Sequence, residues 1–140
     1  LLTPPDHALA RAKTLTLEDI GRYGLILPPK RQITYRLVDQ VFQQARVPYT
    51  VALEVGGWEV IKQYVAMGMG ISIVSAICLD ASDSARLATR PVSEWFPART
   101  YGVVVRKGKV LSPQARAFIE LIRPDLFVRR DHEDAGHSER

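Results

Sequence analysis

Two short stretches hold residue types that could bind a small charged molecule. In one, Gly56 and Gly57 stand between the apolar run 51–55 and a helical stripe. Glycine at such a turn lets a ligand approach the backbone closely, and the unpaired N–H groups of a first helical turn favour an anion. The same pair also suits a plain tight turn from strand to helix. In the other, the loop 28–34, "PPKRQIT", offers Arg31, Gln32 and Thr34 as donors to a carboxylate or sulfate. Thr34 equally suits capping the helix that follows, and both roles are compatible if its hydroxyl turns toward a ligand once one is bound.

The elements that must position these residues alternate. Thr16 followed by Asp19 resembles a capping box, so a short helix is expected over 17–22. The run 24–27 reads as a buried strand ended by Pro28 and Pro29. From Thr34, the positions Leu37, Val38, Val41, Phe42 and Ala45 form the stripe of a helix packed on one side, closed by Pro48. A strand over 51–55 follows. Val60, Ile61, Tyr64 and Val65 then mark a helix from near Gly57 to Gly68, where a left-handed cap suits glycine. The run 71–74 is expected to be another buried strand. Strands alternating with helices imply parallel βαβ units and an open, doubly wound α/β sheet, with ligands beyond the carboxyl ends of its strands.

Beyond this unit the pattern loosens. A short helix over 75–79 and an extended run over 87–92 precede Trp95 and Phe96, an aromatic pair suited to binding or to packing over a strand end. A strand over 101–106 turns at Gly108. Ser112 as N-cap and Pro113 at the first helical position open a helix lined by Ala115, Phe118, Ile119 and Ile122 and stopped by Pro124.

Composition bounds the function classes. At 140 residues with 46% hydrophobic and 24% charged residues, the chain is long enough for one domain with a real core. The formal charge of +4 comes from scattered residues; only Lys30-Arg31 and Arg106-Lys107-Gly108-Lys109 are dense, a weak nucleic-acid footprint. The single cysteine, Cys78, forms no intrachain disulfide, which fits a reducing cytoplasm. No run approaches the ~20 apolar residues of a membrane span, and no signal segment opens the chain. The stretch 128–140 is expected to be a solvated, disordered tail. Catalysis is not expected: His7, His132 and His137 fall in a surface segment and in the tail, and Cys78 has no partner nearby in sequence. Neither a metal nor a cofactor is expected.

The stretches "DHALARAKTLTLEDIGRYGLIL", "LVDQVFQQARV", "LEVGGWEVIKQYVAMGMGISIV" and "SPQARAFIELI" resemble, in order and spacing, the effector-binding region of LysR-type transcriptional regulators. The similarity runs from about residue 4 to residue 123, and "EVIKQYVAMGMGISIV" also resembles the sulfur-assimilation branch. The resemblance implies a periplasmic-binding-protein-like (type 2) fold of two Rossmann-like lobes, with a small anionic metabolite, an organic acid or a sulfate-like ion, between them. It implies a homodimer or homotetramer, and DNA contacts made only through an N-terminal winged helix-turn-helix that this sequence does not include. A solute-binding module without a transcriptional role is the alternative. On this pattern, residues 1–127 form the effector-binding domain. Residues 15–90 make a nearly complete second lobe, and 1–14 and 91–127 the hinge and part of the first. Helix and strand faces in 101–123 are then expected to lack their usual covering, which points to oligomerisation, strand exchange or a piece of a longer product.

Carried over position by position, the resemblance implies effector contacts at Arg31, Gln32, Ile33 and Thr34, then at Gly56, Gly57 and Trp58. Trp58 departs from the sulfur branch, which usually has a small residue there, and Gly56 stands where that branch often has threonine. These departures count against a sulfate ligand and leave room for a larger organic anion, with Trp58 as a wall.

Overall fold

The computed structural model describes residues 1–98, 102–108 and 110–124. The chain divides into two compact units, Leu1–Arg99 and Thr100–Arg140.

The first unit is built on five extended segments joined by backbone hydrogen bonds. Strand β2 (Gly24–Leu27) pairs in parallel with β3 (Thr50–Glu54). On its other side β2 meets the segment at Ile71, where the Ile26 N–H donates to the Ile71 carbonyl at 2.8 Å. Ser72 bridges antiparallel to Leu2 of β1 (Leu2–Thr3), and β1 pairs with β4 (Ala88–Thr89). The spatial order is therefore β3, β2, the Ile71–Ser72 segment, β1, β4. The strand expected over 71–74 is reduced to bridges at Ile71 and Ser72, because its two neighbours engage only that much of it.

Two helices cover the two faces. Along β2 successive side chains point to opposite sides. Leu25 and Leu27 join Val38, Val41 and Phe42 of α3 (Ile33–Ala45), whereas Ile26 joins Ile61 and Val65 of α4 (Trp58–Ala66). Helix α3 carries the chain from β2 to β3 on one face, and α4 returns it past β2 on the other. That arrangement is the doubly wound one. Two short helices, α1 (Ala8–Arg11) and α2 (Leu17–Gly21), precede β2. Thr16 and Asp19 complete the expected capping box, and α2 ends one residue early, with Arg22 as its cap.

Local chemistry fixes the helix ends. Gly68 has φ of +74°, its N–H donates to Val65 at 2.9 Å, and the Met69 N–H donates to Tyr64 at 3.1 Å. This is the paired-bond ending that a left-handed glycine permits. The short helix expected over 75–79 is a single 3₁₀ turn, Ala76–Cys78, and a second one covers Ala81–Ala85. Phe96 is 8% exposed and joins the core with Trp95 beside it, so this aromatic pair packs.

In the second unit, α5 (Pro113–Ile122) starts at the expected cap, with the Ser112 hydroxyl accepting from the Ala115 N–H at 3.2 Å. Ile119 is buried, while Phe118, Leu121 and Ile122 are exposed. The strand expected over 101–106 is not found: the described residues 102–106 carry no strand pairing, and Tyr101 lies outside them. Consecutive valines favour extended backbone, but a strand also needs a neighbour to complete its hydrogen bonds. The tail expected at 128–140 lies outside the described residues.

Candidate functional site

The carboxyl ends of β2 and β3 lie side by side, since their pairing runs to Leu27 and Glu54 and the Val55 N–H donates to the Leu27 carbonyl at 3.0 Å. The loop after β2 is tied to that edge by the Lys30 N–H, 3.4 Å from Oε1 of Glu54. Both sequence-predicted stretches therefore reach the same edge of the sheet. They leave it on opposite faces, because α3 and α4 cover opposite faces.

Each predicted residue can now be placed. Gln32, rather than Thr34, is the N-cap of α3, and it makes no side-chain capping bond. Thr34 sits one step inside the helix, where its side chain turns toward the core and is 8% exposed; this corrects its expected capping role. Arg31 and Ile33 are exposed, and Arg31 lends its carbonyl to Nη2 of Arg36 at 3.2 Å. Gly57 is the N-cap of α4 with φ of +85°, a conformation that favours glycine, and Gly56 is exposed with open space where a Cβ would stand. Trp58 is half-buried against the α4-side core.

A cavity of about 530 Å³ lies on the α3 face. Thr34, Leu37 and Val38 supply one wall, Ile73, Ser75 and Ala76 another, and Val92 and Phe96 a third. It lies between the first turns of α3 and the segments that follow Ile71–Ser72 and β4. In doubly wound sheets ligands bind beyond the carboxyl ends of the strands, where the next helices begin. Of the predicted residues Thr34 alone lines it; Gly56, Gly57 and Trp58, which follow β3, do not. The walls from 73–76 and Val92 escaped the sequence reading, whereas Phe96 belongs to the aromatic pair it offered for binding or packing. The signal that could have found them was the strand order, which periodicity does not reveal.

Arg90 also lines the cavity, and its Nη1 donates to the carbonyls of Leu9, Ala10 and Ala12 at 3.3, 3.3 and 2.6 Å, closing the end of α1. Among the described residues no group of three or more His, Cys, Asp or Glu is placed to hold a metal, and no helix is long and apolar enough to cross a membrane.

A family model described as "LysR substrate binding domain" matches residues 1–126. The chain belongs to the LysR substrate-binding domain family. This LysR domain is 34% identical over 126 residues to the transcriptional regulator SsuR of Burkholderia cenocepacia, covering 90% of this chain and 41% of that protein. It superposes on the regulatory domain of Synechocystis PCC6803 CcmR in complex with 2-PG with a TM-score of 0.72 and 28% identity, covering 86% of this chain and 59% of that one. The cofactor-binding domain of the Cbl transcriptional regulator gives 0.69 at 24% identity, over 86% of this chain and 53% of that one, a likeness of fold. CysB and Cbl regulators are also among its sequence relatives, in line with the resemblance to the sulfur-assimilation branch. The fold is that of the LysR domains, periplasmic-binding-protein-like and α/β. The chain spans about two fifths of the length of the curated relatives it matches.

Proposed function

We propose that this LysR domain senses a small anionic metabolite and passes its presence to a DNA-binding domain, within a cytoplasmic homodimer or homotetramer. The observation that carries the reading is the start of α3. Its N-cap Gln32 makes no side-chain capping bond, and Thr34 in its first turn lines the cavity. Free N–H groups at a helix start hold a partial positive charge that an anion satisfies. The structure of the CcmR regulatory domain, of the same fold, is a complex with 2-PG, and the named relatives are transcriptional regulators.

Within this reading Arg31, Gln32, Ile33 and Thr34 form the effector's first contact. Gly56, Gly57 and Trp58 form a second contact at the same sheet edge. The full chain is titrated with small anions while thermal unfolding is followed. A stabilising anion raises the midpoint in proportion to its occupancy, and Thr34→Val removes that rise. If no anion of the panel moves the midpoint, or if Thr34→Val responds as the wild type does, the reading fails.

A further inference from the structure

Residues 74–93 leave the α3-side core and return to it. Ile73 and Val92 belong to that core, whereas Leu87 between them joins Ile61 and Val65 in the α4-side core, and Leu79 packs against it. Both ends of this strap line the cavity, Ser75 and Ala76 before the excursion and Thr89 and Pro91 after it. Its middle carries the two 3₁₀ turns, whose backbone bonds close within the strap. The Leu79 N–H donates to Ala76 at 3.1 Å, and the Arg86 and Leu87 N–H groups donate to Asp83 at 3.1 and 2.9 Å. Side chains tie that middle to α4. Nζ of Lys62 stands 2.8 Å from Oδ2 of Asp83 and 3.5 Å from Oδ2 of Asp80, and Nη1 of Arg86 donates to Oε1 of Gln63 at 2.9 Å.

Burial of Leu79 and Leu87 holds the strap without fixing its place along α4, because apolar contact is non-directional. A buried ammonium is satisfied only when its carboxylates stand at hydrogen-bond distance, so it admits few placements. We propose that Lys62 and Asp83 form a latch that sets the strap against α4 and thereby positions two walls of the cavity from the other face of the sheet. Both are positioning residues, since neither lines the cavity. Their bearing on the effector rests on the proposed sensing role, in which those walls enclose part of the site.

Hydrogen exchange of the unliganded full chain tests the latch in the double variant Lys62→Met/Asp83→Leu, which replaces the pair by apolar groups of similar size. Amides of 75–90 are expected to exchange about tenfold faster than in the wild type, while those of β2 and α3 keep their rates. Arg86→Gln, at a half-buried residue that ties Gln63 to Asp83, is expected to act in the same direction by about threefold and repeats the test if the double variant fails to fold. Exchange of 75–90 at the wild-type rate in whichever variant folds overturns the latch. A rise spread evenly over the first unit also overturns it, since lost stability alone produces that. No ligand enters the measurement, so an anion panel that leaves the thermal midpoint unmoved overturns the sensing role without touching the latch.

Discussion

Nζ of Lys62 lies 2.8 Å from Oδ2 of Asp83, and both side chains are sealed from water, at 1% and 3% exposure. Oε1 of Glu59 stands 2.6 Å from the same ammonium, and Nη2 of Arg86 reaches Oδ1 of Asp83 at 3.1 Å. The cluster joins α4 to the 3₁₀ turn at Ala81–Ala85. Removing Lys62 leaves the buried Asp83 carboxylate with Arg86 and the Asp80 N–H but without its buried counter-charge, which is costly in the interior. Lys62→Met is therefore expected to lower the thermal midpoint by more than about 10 °C. Lys62→Met combined with Asp83→Leu is expected to recover most of that loss. A single variant as stable as the wild type would show that water reaches the pair.

The same pair sets a pH dependence. The Lys62 ammonium, then the Asp80 N–H and Arg86, hold the Asp83 carboxyl below its ordinary value of 3.8. Its contribution is complete above that ordinary value and is lost as pH falls through the lowered one. Hydrogen bonds from Lys62 to Asp83 and Glu59 outweigh burial and raise the Lys62 ammonium above its ordinary 10.5, so its contribution is complete below 10.5 and is lost as pH rises through the raised value. Denaturant titrations across pH should show acid losses beginning below about pH 4 that Lys62→Met reduces.

Arg46 ends α3 with φ of +56°, the sole non-glycine residue at positive φ among the described residues. A side chain there costs about 1 kcal/mol. Arg46→Gly should stabilise the chain by about 0.5–1 kcal/mol, read as a higher urea midpoint at unchanged slope.

The glycines separate structural from binding roles. A Cβ at Gly24 would stand 2.7 Å from that of Ala52, where the register of β2 and β3 shifts, so Gly24→Val should break the pairing. Gly57→Val is strained by its φ of +85° and confounds ligand loss with instability. Gly56→Ala meets open space, so stability should stay within about 0.5 kcal/mol. A lost anion response in Gly56→Ala would then assign that turn to binding, and an unchanged response would remove it from the effector's contacts.

Much of the first unit was legible because local chemistry and burial agree there. The box at Thr16 and Asp19, the Leu37–Val38–Val41–Phe42 stripe and the left-handed Gly68 each follow from spacing alone. The strand expected over 101–106 was misread because valine content reports a preference, while pairing depends on a neighbour that periodicity does not supply. Thr34 was misread as a cap by two positions, since a loop of polar residues offers several plausible helix starts.

Sequence by itself determined that strands and helices alternate, that the helices are amphipathic, and that donors cluster after β2 and β3. Only the tertiary structure decided that α3 and α4 cover opposite faces and that Thr34, Ser75 and Phe96, far apart in the chain, line one cavity. The reason is that strand order is fixed by long-range hydrogen bonds and by burial on both faces, and residues far apart in the chain have no local periodicity that records them.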